Sequence, residues 1–177
     1  MNKIPPPFIA AGNIFLFYLS TLLIPSFEFT GQAILGILIG LEGIIIIFLS
    51  IRLFREYQTT INPFKAHETS RLITSGIYSF TRNPMYLGLS SIQVAFGIYL
   101  GAYVSIFLIP SFIIYITHKQ IIYEEQILEK KFGDEYINYL KSVRRWIWLT
   151  LKFSKVDYSP WMQINSWYAS PRKNPAN

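Results

Sequence analysis

Cysteine is absent from the 177 residues, which removes disulfides, thiolate metal sites and a cysteine nucleophile. Histidine occurs twice, as His67 and His118, too few to build a histidine metal centre, and no metal site is expected. Charge is scarce too: 15% of residues are Asp, Glu, Lys or Arg, against about a quarter in an ordinary soluble domain. No Gly-x-Gly-x-x-Gly run occurs, which disfavours a Rossmann-type nucleotide site. What is present is apolar, with 51% hydrophobic residues, 17% aromatics and a mean hydropathy of +0.32. The composition points to an all-α integral membrane bundle of one domain, covering residues 1–156 and followed by an irregular tail, 157–177.

Four apolar runs are separable, at about Phe8–Ile24, Gly31–Leu53, Pro84–Leu100 and Tyr103–Ile122. A span takes about 20 residues, with about 17 as the lower limit, so four transmembrane helices are expected and the second is the clearest. Lys3 precedes the first run as in a signal peptide. Pro5-Pro6-Pro7 opens that run, however, and no small-x-small cleavage site closes it before Pro25, so the segment is expected to be retained. Of the sixteen Lys and Arg residues, five lie between Arg52 and Arg82, and ten lie from Lys119 onward. None falls in the turns at 25–30 or 100–102. The positive-inside rule then puts both termini and the long polar connection in the cytoplasm. The formal charge of +6 is thus explained by topology, and no nucleic-acid partner is expected.

Local signals fill in the bundle. Ala33, Gly36, Gly40 and Gly43 form a small-residue face on which another helix can pack closely. Glu42, the lone deep carboxylate, is expected to hydrogen-bond a neighbouring span, with Gln93 a candidate partner, and the alternative is a role in substrate binding. Asn83 suits a helix cap and Pro84 the first turn after it. Gly101 marks a tight hairpin, and Pro110 should kink the fourth helix, which continues through Leu128 and Phe132. Beyond Gly133 an amphipathic cytoplasmic helix is expected through Lys141, and Trp146 and Trp148 beside Arg144 and Arg145 suggest a segment lying in the interface.

The most informative residues are Thr74-Ser75-Gly76-Ile77-Tyr78 and Arg82-Asn83-Pro84-Met85-Tyr86-Leu87-Gly88, at the mouth of the third run, with Glu124-Glu125 after the fourth. An unpaired charge costs several kcal/mol to bury, so charges persist beside lipid mainly where they are matched or used. About 30 Å of helix from Tyr103 brings Glu124 to the boundary where Arg82 sits. An arginine and two carboxylates at one membrane face suggest an embedded enzyme site. Adjacent helix positions diverge by about 100°, which favours Glu124 over Glu125 as the residue facing it.

These motifs resemble the isoprenylcysteine carboxyl methyltransferase and phospholipid N-methyltransferase superfamily. The resemblance covers about residues 59–145 and rests on Leu-Ile-Thr-Ser-Gly-Ile-Tyr, Arg-Asn-Pro-Met-Tyr-Leu-Gly, Tyr-Glu-Glu-Gln-Ile-Leu and Phe-Gly-Asp-Glu-Tyr-Ile-Asn-Tyr in that order. It implies S-adenosylmethionine bound at the cytoplasmic face and a lipophilic acceptor entering from the bilayer, while the short length and Ile/Lys/Asn-rich composition point to a prokaryotic plasma membrane. Arg82 and Glu124 are the implied catalytic residues. His67, Leu72, Ile73, Gly76, Tyr78, Asn83, Pro84, Tyr86, Glu124 and Glu125 are the implied cofactor contacts. The chemistry is compatible: Arg82 can pair with the cofactor carboxylate, or orient an acceptor, and a Glu can accept from its ammonium or ribose. Tyr78 and Tyr86 can offer ring faces to the sulfonium or hydrogen bonds to hydroxyls.

Two departures concern the acceptor. Asn83 stands where the prenylcysteine enzymes have histidine. Gln120, with Lys119 beside it, stands where they place a carboxylate-binding arginine. Both argue against prenylcysteine carboxyl methylation and leave the acceptor open among carboxyl, amine and hydroxyl lipids. An NADPH-dependent sterol-reductase-like enzyme and a non-catalytic lipid-binding or transport protein are the competing readings. Oligomeric state is not legible.

Overall fold

In a computed structural model of the protein, residues 4–58 and 69–147 are described. His67, Trp148 and the tail 157–177 therefore lie outside the described residues. Among the described residues six α-helices follow one another: α1 Pro6–Thr21, α2 Gln32–Glu56, α3 Pro84–Tyr99, α4 Ser105–Ile116, α5 Ile122–Phe132 and α6 Asp134–Ser142. A 3-10 turn, Gly76–Ser79, precedes α3, and a π turn, Thr117–Ile121, joins α4 to α5 without a break. No strand occurs among the described residues.

Among the described residues two helical stretches are long and apolar enough to cross a membrane, Gln32–Glu56 and Ser105–Phe132. Only 22% and 28% of their most apolar windows are buried, unlike the core helices of a soluble protein. Helices α1 and α3 have 16 residues each, about 24 Å of rise and short of the hydrocarbon thickness. Large apolar side chains such as Phe15, Ile37, Phe48, Phe107 and Ile114 face outward around the bundle.

Helix α2 packs on α3 through the small-residue face expected of it. A Cβ on Gly88 would lie 2.6 Å from Ile47 Cγ1 and 2.7 Å from the Gly43 carbonyl oxygen. A Cβ on Gly43 would lie 2.8 Å from the Gly88 oxygen, so the two backbones meet where neither side chain exists. The α3–α4 hairpin turns at Gly101, whose φ of +63° is in the left-handed region that glycine enters freely. Phe27 N–H donates to the Gly101 carbonyl at 3.0 Å, tying the hairpin to the loop before α2.

Three local expectations are corrected. Gln93 is fully buried, but it accepts from Asn13 Nδ2 at 2.8 Å, while Glu42 is exposed on α2. Asn83 does not cap α3 through its side chain; its amide donates to the Arg145 carbonyl at 3.2 Å instead. Trp146 is not interfacial. It is 1% exposed in the core with Phe112, Ile116 and Ile121, and its Nε1–H donates to Thr117 Oγ1 at 3.2 Å. Pro84 does open α3, and α6 ends one residue beyond Lys141.

Candidate active site

A cavity of about 640 Å³ opens where the segment 69–83, the start of α3, α5 and α6 converge. Pro5, Pro6 and Pro7 line it from the start of α1, and Phe54 from the end of α2. Helix geometry explains the placement. Pro84 fixes the first turn of α3, which sets Met85, Tyr86 and Leu89 along the cavity side. Gly76, with φ +59°, starts the 3-10 turn that carries Tyr78 inward, where its ring meets Phe54 edge-on at 5.7 Å.

Two carboxylates stand side by side with different partners. Glu124 Oε1 accepts from the Tyr86 hydroxyl at 2.7 Å and from Gln120 Nε2 at 2.6 Å. Glu125 accepts from Arg145 in a fork, Nε at 3.0 Å and Nη2 at 2.5 Å, and pairs with Arg82 Nη2 at 3.2 Å. Side-chain exposure is 11% for Arg82 and 7% for Glu125, so this is a desolvated cluster of two guanidiniums and one carboxylate. Arg82 Nε is buried and has no acceptor. Arg82 lines the cavity, where its guanidinium places a positive charge that an anionic ligand group can pair with.

Neutral phenols complete the wall. Burial pushes the Tyr78 phenol far above its ordinary range, and the neighbouring Tyr139 and Glu124 reinforce this. Burial likewise raises Tyr136, next with Glu125, and burial raises Tyr139, whose hydroxyl donates to the Tyr78 carbonyl at 2.7 Å. These groups can donate hydrogen bonds at neutral pH and cannot act as tyrosinate bases.

Of the residues singled out from the sequence, Leu72, Ile73, Tyr78, Arg82, Asn83, Tyr86, Glu124 and Glu125 all line this cavity. Gly76 and Pro84 do not; they shape the backbone around it. Gln120 is buried and reaches the site through Glu124, whereas Lys119 is exposed and is not among the lining residues. Sequence reasoning paired Arg82 with Glu124, but the partner of Arg82 is Glu125. It also missed Thr69 and Arg71 in the wall, Tyr136 and Tyr139 beneath, and Arg145 behind Glu125. For the two tyrosines a signal existed, since positions three apart share a helix face. For Arg145 none did.

A protein-family model, Phospholipid methyltransferase, matches residues 32–135, more than half of the chain and including Arg82, Tyr86, Glu124 and Glu125. The chain belongs to the phospholipid methyltransferase family. The chain is 44% identical over 63 residues to an uncharacterized protein of Haemophilus influenzae. That alignment covers all of the H. influenzae protein and 36% of this chain. No solved structure matches the chain. The matched residues of this phospholipid methyltransferase family member run from α2 to the start of α6. Arg145 falls ten residues beyond them.

Proposed function

We propose that this protein transfers a methyl group from S-adenosylmethionine to a lipophilic acceptor at the cytoplasmic face of a prokaryotic plasma membrane. The observation that carries the reading is a desolvated arginine, Arg82, and a carboxylate, Glu124, lining one cavity. A cofactor with one carboxylate and one ammonium fits this donor set: Arg82 holds the carboxylate and Glu124, oriented by Tyr86 and Gln120, accepts from the ammonium. Leu72 and Ile73 supply an apolar wall for the adenine. When bound, S-adenosylmethionine supplies an electrophilic methyl on a sulfonium.

The protein's own contribution is positioning. Methyl transfer by in-line displacement needs no covalent nucleophile, so alignment and exclusion of water supply much of the acceleration. Met85, Leu89 and Leu128 exclude water from the cavity, and the neutral phenols of Tyr78 and Tyr86 orient polar groups within it. The acceptor reaches the cavity from the bilayer, between helices whose outer faces are apolar.

The same proposal holds that all four apolar runs cross the membrane, α1 and α3 being short spans, with both termini cytoplasmic. Its support is the absence of Lys and Arg from the turns at 25–30 and 100–102. Calorimetry on the purified protein tests the cofactor. S-Adenosylmethionine and S-adenosylhomocysteine should bind and NADPH should not. Binding of NADPH alone would overturn the reading.

A further inference from the structure

The segment after α6 is stitched to the residues before α3 at every step. Arg82 N–H donates to the Arg144 carbonyl at 2.9 Å, and Thr81 Oγ1 and Asn83 Nδ2 donate to the Arg145 carbonyl at 2.9 and 3.2 Å. The Arg145 side chain then turns to Glu125 and grips both of its oxygens. Arg145 itself does not line the cavity. Its side chain is 17% exposed, and the carboxylate it holds is the one that contacts Arg82.

A planar guanidinium forked onto a carboxylate fixes that carboxylate in both position and plane. With Glu125 fixed by Arg145, it draws on Arg82 through Nη2 and leaves Arg82 Nε with no acceptor. Without Arg145, Glu125 would be a buried carboxylate with Arg82 as its nearest cation. The two would rearrange toward a direct fork that consumes the Arg82 donors. We propose that Arg145 is a positioning residue: it acts through Glu125 to hold the Arg82 guanidinium in the cavity wall, where it faces an anionic group bound there. This rests on the cofactor reading above and assigns to Arg145 the recognition of the cofactor's carboxylate.

The test compares S-adenosylhomocysteine with its decarboxylated analogue, which keeps the adenosine, the thioether and the amine. Binding is measured by calorimetry on the full chain in detergent. The wild type should prefer the carboxylate-bearing ligand. Arg145→Gln should lower its affinity by at least about 10-fold while changing the analogue little, so that the preference collapses. The carbonyl clasp survives this substitution, because Thr81 and Asn83 bind the Arg145 backbone. Should the single variant nevertheless fail to fold, Arg145→Lys serves in its place. Arg145→Lys, which keeps the charge without the fork, should fall between. An unchanged preference, or an equal loss for both ligands, would assign Arg145 a purely structural role and overturn the inference. A wild type that binds neither ligand would instead overturn the cofactor reading itself.

Discussion

Glu125 is held by Arg145, twenty residues further along the chain, at 3.0 Å and 2.5 Å, and the same carboxylate touches Arg82 at 3.2 Å. The neighbouring Glu124 accepts from Tyr86 and Gln120. Adjacent acidic residues therefore have separate tasks. One organises the arginines, and the other presents a carboxylate to the cavity.

The first prediction follows from that division. Glu124→Gln and Arg82→Ala should each weaken S-adenosylhomocysteine binding by about 2–5 kcal/mol, the usual cost of removing one side of a desolvated charge contact. Both variants should still insert and fold. Titration of each variant against the wild type checks this, and wild-type affinity in both would remove the two residues from the site.

A second prediction concerns the α2–α3 crossing. Gly88→Ala puts a Cβ against the Gly43 backbone and should cost about 1–3 kcal/mol, because backbone cannot move aside as a side chain can. Gly12→Ala in α1 meets nothing within 4 Å and should be neutral or stabilising by up to about 1 kcal/mol. Thermal unfolding of both variants in the same detergent gives the comparison. A Gly88→Ala protein as stable as Gly12→Ala would mean the helices do not approach so closely.

Asn13 and Gln93 supply a third. Each is an amide in an apolar bundle, and removing one strands the other at a cost of about 1–3 kcal/mol. Replacing both with leucine should cost less than the sum of the single changes. A double-mutant cycle on unfolding midpoints measures the difference. Strict additivity would show that the pair is not formed.

Topology gives the fourth. A reporter fused after Ser26 should read as external, and reporters after Gln58 or at Asn177 as cytoplasmic. An external signal at Gln58 combined with a cytoplasmic one at Ser26 would reverse the orientation and move the proposed site to the other face.

Helix geometry accounts for what was legible in the chain. Gly36, Gly40 and Gly43 repeat at helical spacing, so the face that packs on α3 could be read off α2 directly. Pro84 fixed the start of α3, Gly101 the hairpin and Gly133 the break before α6, because each requires a backbone that few other residues adopt. Arg82, Tyr86 and Glu124 drew attention because charge and hydroxyls are scarce beside long apolar runs.

The tertiary structure alone decided which glutamate meets Arg82. Phe112 and Ile116 are buried four apart, and an uninterrupted α-helix would carry that inward face on to 120, 123 and 124. The π turn at Thr117–Ile121 accommodates one extra residue, so Ile121 and Glu125 are buried beside the inward Gln120 and Glu124, while Tyr123 is exposed. A period of 3.6 cannot signal that insertion in advance. Nor can it bring together Asn13 with Gln93, or Arg145 with Glu125, since these pairs depend on how separate helices dock. The sequence determined which residues were too polar for their surroundings. Packing determined which of them satisfied one another, and left Arg82 Nε as the donor with no acceptor.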